Sequence, residues 1–93
     1  MKEPLDSGAC RKLIQEILAS GEVSFSGHAL DEMAKDNLTT FDCVNVLRGG
    51  VVEPGEFEKG SWRFRVRTSR MTIVVAFRSE RRLVVVTAWR EKK

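Results

Sequence analysis

Residues 61–68 read SWRFRVRT, and this stretch decides the fold of the second half of the chain. From Trp62 to Arg67, apolar side chains and arginines alternate strictly. Successive side chains of a β-strand point to opposite faces, so the pattern predicts a strand with Trp62, Phe64 and Val66 on one face and three arginines on the other. The apolar face, Trp62 included, is expected to pack into a core. The arginine face is expected to meet solvent or a partner.

Two further strands are predicted after this one. Residues 71–77 and 83–89 are rich in β-branched residues and almost continuously apolar, which is typical of central strands covered on both faces. Their connections are short enough for antiparallel hairpins. Residues 51–58 contain Pro54-Gly55, which indicates an edge strand, or a loop with a single strand arm.

The first half of the chain has helical periodicity instead. Between residues 6 and 20 the apolar residues recur at steps of one, three and four, which predicts a helix with a single apolar stripe. Asp6 or Ser7 can cap its start, and Gly21 can close it. A short extended piece at residues 23–25 follows.

Two more helices are predicted before the sheet. The second begins after Ser26 and ends near residues 36–37. The third is short: Thr39 and Asp42 have the spacing of a capping box at its start, and Gly49-Gly50 ends it. The side chains predicted to face inward from these two helices are Ala29, Leu30, Met33, Ala34, Phe41, Val44 and Leu47.

These elements define an α+β fold, with two to three N-terminal helices packed on a C-terminal antiparallel sheet of three to four strands. At 93 residues the chain is expected to form one domain over residues 1–93. It contains no apolar run of about 18 residues and no signal-peptide core, so it is expected to be cytoplasmic. In that compartment Cys10 and Cys43 are expected to pack as small hydrophobic side chains rather than form a disulfide or bind zinc.

The charges are distributed unevenly along the chain. Residues 1–58 contain 5 Lys/Arg and 11 Asp/Glu, residues 59–93 contain 11 Lys/Arg and 2 Asp/Glu, and the net charge is +3. A basic second half indicates an anionic partner, of which nucleic acid is the commonest. Charge matching within the molecule, or an acidic protein partner, would give the same pattern.

The arginines of the alternating strand are the first candidates for a functional site. Arg63, Arg65 and Arg67 would lie about 6–7 Å apart on one face, a step comparable to the phosphate spacing of a nucleic-acid chain. A guanidinium group can bind two oxygens of one phosphate at once, and it can also stack on a base. The alternative is an ordinary solvated sheet face. The other basic residues of this half are Lys59, Arg70, Arg78, Arg81, Arg82, Arg90, Lys92 and Lys93.

His28 is the only histidine, so a mechanism that needs two imidazoles is excluded. As a general base it could take a proton from a ribose 2′-hydroxyl, provided another group stabilised the phosphorane-like transition state. The alternative is a structural hydrogen bond at the start of the second helix. The sequence contains neither a nucleophile elbow nor a phosphate-binding glycine loop.

The order of the segments resembles a known family. Over residues 11–93 the chain resembles the MqsR-type messenger-RNA interferase toxins. The resemblance lies in the order of its segments, RKLIQEILASGEVSFSGHALDEMAKDNLTTFDCVNVLRGG followed by SWRFRVRT, MTIVVAF and LVVVTAWREKK. A related family of small proteins carries an S-x-HA-x-x-RM-like helix, which SGHALDEM resembles. Both families belong to the RelE-like superfamily.

The resemblance implies a RelE-like fold and an endoribonuclease that cleaves messenger RNA, free or on the ribosome, through attack by the 2′-hydroxyl. It implies no metal and no other cofactor. Such an enzyme is the toxin component of a type II toxin–antitoxin system. The expected partners are therefore messenger RNA and a cognate antitoxin protein, with no membrane.

The resemblance also implies roles for individual residues. Arg63 and Arg90 match phosphate-handling residues of the family, and Lys59 matches a further basic residue. The family's tyrosine is missing, since the chain has no tyrosine and Met71 or Thr72 stands at that position, so His28 is the best chemical replacement. The predicted catalytic residues are Arg63, Arg90, His28 and Lys59, and the predicted RNA-binding residues are Arg65, Arg67, Arg78, Arg82 and Trp89.

Other functions remain open at this point. The basic face could bind RNA without cleaving it, or it could dock an acidic antitoxin-like protein. Poisoning of a topoisomerase, as in another branch of the superfamily, is a further alternative.

Overall fold

The structure is a computed structural model that describes residues 2–91. It has the α+β organisation that the sequence predicts, with three helices and a six-stranded sheet. The helices are α1 (Ser7–Ser20), α2 (Gly27–Lys35) and α3 (Thr40–Gly49). The strands are β1 (Glu22–Phe25), β2 (Val51–Val52), β3 (Glu56–Glu58), β4 (Ser61–Arg67), β5 (Met71–Ser79) and β6 (Arg82–Arg90).

Each helix begins at a polar side chain that satisfies a free backbone amide. The Asp6 carboxylate accepts a hydrogen bond from the amide of Ala9 at 2.7 Å, and α1 ends where the amide of Gly21 donates to the carbonyl of Ile17. At α3 the predicted capping box is present: the Asp42 amide donates to the Thr39 hydroxyl at 3.1 Å, and the Thr39 amide donates to the Asp42 carboxylate at 2.9 Å.

The sheet is mixed, with the strand order β1-β6-β5-β4-β2, and β3 pairs separately with β4. All pairs are antiparallel except β1 with β6, which is parallel. The antiparallel pairing of the three long strands is confirmed, but the sheet has more strands than the three to four predicted and includes one parallel pair. The sequence predicted β1 only as an extended piece, and β2 and β3 only as one edge strand or loop, because strands of two to four residues are too short for a period to be read. The partner of β1 also lies at the opposite end of the chain.

One face of the sheet packs against the helices and forms the core. The fully buried side chains there include Ile14, Ile17, Leu47, Phe64, Ile73, Val75, Leu83 and Val85. Two inward predictions are wrong, because Leu30 is 48% exposed and Phe41 is 70% exposed. In α2 the buried residues are Ala29 and Met33, four positions apart, so a short helix turns only one narrow stripe to the sheet.

Ala34 is exposed and Val44 only half-buried, so these two inward predictions fail as well. The buried stripe of α3 consists of Cys43, Val46 and Leu47. This stripe has the spacing of three and four residues that one helix face requires. Phe41 and Val44 fall beside it.

Both cysteines are unpaired and completely buried, as expected of small hydrophobic side chains. Burial raises the pKa of the Cys10 thiol to about 12, and the Glu3 carboxylate adds to the shift. Burial likewise raises the pKa of the Cys43 thiol to about 11. Within residues 2–91, no helix is long and apolar enough to cross a membrane.

Candidate functional site

The sheet face opposite the helices carries the alternating arginines, and we call it the arginine face. Strand pairing arranges its side chains in rows that run across the sheet. One row contains Arg67 of β4, Thr72 of β5 and Trp89 of β6. The next row contains Arg65, Val74 and Thr87, and beyond it Ala76 lies opposite Val84. The arginines of β4 therefore lie along one side of a strip on β5 and β6 that includes Val74, Ala76 and Val84.

A pocket of about 390 Å³ lies at one end of this face. Its floor consists of the small or apolar residues Ala76, Val84 and Val86, and basic side chains stand around it. The lining residues are Ser26, His28, Lys59, Ser61, Arg63, Ala76, Arg78, Val84, Val86 and Thr87. None of these lining residues carries a carboxylate. We call it the cationic pocket.

A tight turn places Lys59 and Arg63 on the same side of the pocket. Lys59 and Gly60 join β3 to β4, and both have positive φ angles, 48° and 81°. Two consecutive positive φ values are typical of the type I′ turn, whose twist matches that of a two-stranded hairpin. The hairpin therefore holds Lys59 beside Ser61 at the start of β4, two residues before Arg63.

A serine joins the start of α2 to strand β6 and so brings His28 to the pocket. The Ser26 hydroxyl accepts from the amide of Ala29 at 3.0 Å and donates to the carbonyl of Val86 at 2.9 Å. The register of β5 and β6 shifts here: Val74 pairs with Thr87 and Val75 with Val85, so Val86 has no opposite residue. His28, the second residue of α2, is exposed at the pocket.

Three arginines of this face form ion pairs with glutamates. Arg67 Nε lies 2.6 Å from Glu53 Oε2, Arg65 Nε lies 3.8 Å from Glu56 Oε1, and Arg82 Nε lies 2.9 Å from Glu22 Oε1.

The cations of the pocket have no such partner among residues 2–91. No carboxylate of the described chain forms an ion pair with Lys59, Arg63 or Arg78. The buried Nε of Arg63 also lacks a hydrogen-bond partner within this part of the chain. Unpaired guanidinium groups concentrated above an apolar floor favour the binding of an anion.

The predicted site residues fall into two groups in space. His28, Lys59 and Arg63 come together in the cationic pocket, and Arg78 joins them. Arg65 and Arg67 continue the arginine face beyond the pocket.

Arg90, Trp89 and Arg82 lie outside the pocket. The guanidinium group of Arg90 donates to the carbonyl of Asp36 at 2.8 Å and to that of Asn37 at 3.2 Å, the two residues that follow α2. Arg90 therefore lies at the C-terminal end of α2, whereas His28 lies at its start. Trp89 Nε1 donates to Glu91 Oε2 at 3.1 Å. Lys92 and Lys93 lie outside the described residues.

Sequence reasoning did not find Ala76 in the lining of the pocket, nor the glutamates that pair with the arginines beyond it. Alternation along β5 puts Ala76 on the same face as Thr72 and Val74, which is a signal that the sequence contains. Its place in the same pocket as Arg63 depends on how the strands pair, which the sequence does not state. The pairing of Glu53 and Glu56 with arginines depends on how residues 51–58 pair with β4, which the sequence did not predict.

Comparisons of the chain with protein-family models, with curated proteins and with solved structures gave no match. No group of three His, Cys, Asp or Glu side chains within residues 2–91 is placed to hold a metal ion.

Proposed function

We propose that this protein is an endoribonuclease that cleaves messenger RNA in the cationic pocket without a metal ion, and that it is the toxin component of a type II toxin–antitoxin system. One observation carries the ribonuclease proposal. His28, Lys59, Arg63 and Arg78 line a single pocket in which no lining residue is acidic. An imidazole and several cations that no carboxylate of residues 2–91 pairs with can act as base and as transition-state stabilisers in phosphodiester transesterification.

The chemistry starts at the ribose 2′-hydroxyl. The neutral imidazole of His28 takes the proton of this hydroxyl while the 2′-oxygen attacks the adjacent phosphorus. The bond between phosphorus and the 5′-oxygen of the next nucleotide then breaks. The products are a 2′,3′-cyclic phosphate and a 5′-hydroxyl, and the 5′-oxygen receives a proton from the ammonium group of Lys59.

Arg63 and Arg78 stabilise the charge that develops on the phosphate. Arginine stays protonated at any physiological pH, so it holds the phosphate oxygens but does not transfer the proton. Since neither guanidinium group pairs with a described carboxylate, neither must leave a partner before it binds RNA. The apolar floor at Ala76 and Val84 offers a surface for the sugar or base of the same nucleotide.

The toxin assignment rests on the sequence resemblance to the MqsR-type interferases within the RelE-like superfamily. Messenger RNA and a cognate antitoxin are then the partners. The proposed site differs from the family pattern at Arg90, whose guanidinium group is bonded to the end of α2. We assign Arg90 a structural role and give the second phosphate contact to Arg78.

The test is incubation of the pure protein with a defined messenger-RNA fragment in EDTA. We expect cleavage to products that end in a 2′,3′-cyclic phosphate and a 5′-hydroxyl, identified by mass spectrometry. Arg63→Gln and Arg78→Gln should each lower the rate by about 10²–10³-fold, the loss typical of removing one donor to the charge of a transition state. Arg48→Gln is the matched control, because Arg48 is an exposed arginine of α3 that does not line the pocket.

Non-catalytic binding of RNA at the same pocket is the second candidate. One observation favours it: His28 is exposed on the rim, so no buried contact fixes its ring against a substrate. The same experiment separates the two. A protein that binds the fragment, loses binding on Arg63→Gln, and yields no product would be a binder and not a ribonuclease.

A further inference from the structure

We propose that Glu53 and Glu56 restrict RNA binding on the arginine face to the cationic pocket, so that the protein engages one or two phosphates rather than an extended strand. This inference rests on the proposed function, since it concerns how far RNA extends from that pocket. It assigns a specificity role to two acidic residues outside the pocket, in the segment that joins β2 to β4.

The geometry of this segment brings one carboxylate to each of the two arginines beyond the pocket. Val51 and Val52 pair with the end of β4, and the amide of Glu53 donates to the carbonyl of Arg65 at 2.9 Å. This backbone bond holds the Glu53 carboxylate at Arg67, with Oε2 at 2.6 Å from Nε.

The second carboxylate comes from β3. Glu56 lies directly opposite Arg63 in the strand pair, yet its carboxylate lies 3.8 Å from Nε of Arg65. The pocket arginine next to it therefore remains without an ion pair among residues 2–91.

Alternation along β4 gives the arginines a step close to the phosphate spacing of an extended strand. A strand that leaves the pocket along β4 would thus meet Arg65 and then Arg67. At each of them a carboxylate already lies beside the guanidinium group, and it also repels the incoming phosphate. RNA must displace these carboxylates before it gains either contact.

In each pair the arginine side chain is at least half exposed, 50% for Arg65 and 57% for Arg67. Exposed ion pairs are weak and open readily. The carboxylates therefore lower the affinity for each additional phosphate without making the contact impossible. Replacing them by glutamine, which has the same shape and no charge, frees the two arginines.

The experiment measures binding with RNA that the protein cannot cleave. The probes are a fully 2′-O-methylated 12-mer and a 2′-O-methylated dinucleotide, titrated by fluorescence anisotropy at several salt concentrations. The proteins are the wild type and the variants Glu53→Gln/Glu56→Gln, Glu56→Gln and Glu58→Gln. Glu58 is the matched control, because it is an exposed acid of the same short strand and forms no ion pair with the described residues.

The double variant should bind the 12-mer about tenfold more tightly at low salt, because two released exposed pairs contribute a few-fold each. The slope of log affinity against log salt should steepen by about 1.4, since each added phosphate contact on a single strand contributes about 0.7. Its affinity for the dinucleotide should stay within about twofold, because a short ligand does not reach beyond the pocket. Glu58→Gln should leave the salt slope unchanged.

Two outcomes would overturn the inference: an unchanged slope in the double variant, or an equal effect of Glu56→Gln and Glu58→Gln, which would indicate only a general loss of negative charge. Absence of RNA binding by the wild type and the double variant alike would overturn it together with the proposed function. A steeper slope in a protein that never cleaves unmodified RNA would support this inference and refute the ribonuclease proposal, so the two failures are distinguishable.

Discussion

At the scale of single residues, the cationic pocket depends on the small side chain of Ala76 as well as on its basic side chains. Ala76 is 2% exposed and lies between the arginine strand and Val84, where any longer side chain would occupy the space that a ligand needs. Ala76 and the basic residues line the same pocket. A test of the pocket can therefore leave every charge in place.

Replacing Ala76 with leucine should abolish the site by filling it. We expect the affinity for the 2′-O-methylated dinucleotide to fall at least about tenfold, since a filled cavity excludes its ligand, at a stability cost of about 1–3 kcal/mol for the added volume. The measurements are calorimetric binding and thermal unfolding. Val74→Leu on the same strand and face, outside the pocket lining, is the control. A folded Ala76→Leu protein with unchanged affinity would contradict the assignment of the pocket.

The buried thiols give a second test at this scale. In the folded protein the pKa values of Cys10 and Cys43 are raised to about 12 and about 11, above those of an unfolded thiol. The stability contributed by keeping them protonated is fully present below the unfolded pKa and is lost as the pH rises through the folded values. At pH 8 neither thiol should react with a disulfide reagent until urea unfolds the chain.

The reference for this experiment is Ser69→Cys, which introduces an exposed thiol in the turn between β4 and β5. That thiol should react at once under native conditions. Rapid labelling of the native wild-type protein would show that Cys10 or Cys43 is accessible, in conflict with the packing of the core.

At the scale of elements, the parallel pair of β1 and β6 brings a segment of the helical half of the chain into the sheet. It begins where Gly21 ends α1 and the amide of Glu22 donates to the carbonyl of Arg81 at 2.8 Å. A Cβ on Gly21 would stand 2.4 Å from that same carbonyl oxygen, so the chain passes too closely for any other residue. The glycine is needed here for close approach, since its φ of −106° is ordinary.

Gly21→Ala should therefore destabilise the protein by about 1–3 kcal/mol, as overpacking against rigid backbone does. Gly27→Ala is the matched control, because a Cβ there would meet nothing within 4 Å. It should be neutral or slightly stabilising, because alanine restricts the unfolded chain. Urea unfolding of both variants measures the difference. Equal stability of the two variants would mean that β1 does not pass Arg81 as described.

At the scale of the whole molecule, the sequence predicted the parts that carry a long period. The first helix, the capping box of α3 and the three long strands were found because each has a repeating apolar pattern or a defined cap. The short strands were predicted only in outline, as an extended piece at 23–25 and a single edge strand or loop at 51–58, since their pairing depends on distant partners and on only two to four residues each. The inward predictions for Leu30 and Phe41 failed because helices of 9 and 10 residues bury only a narrow stripe.

The same limit applies to the candidate site. Alternation identified Arg63, Arg65 and Arg67 as one face, and the structure has them so. No local pattern could show that His28 lies at the same pocket as Arg63, because a serine contact to a bulged strand brings it there. Nor could a pattern show that Arg90 binds the end of α2. Register and the position of a bulge are tertiary properties.

The most direct test of the central claim, that the cationic pocket is the RNA site, is an amide NMR titration of the protein with the 2′-O-methylated dinucleotide. The account predicts saturable shifts concentrated at residues 59–63, at Arg78 and at residues 86–87, with smaller changes at the start of α2. Shifts concentrated instead around Arg90 and the end of α2, or the absence of saturable shifts anywhere, would contradict it.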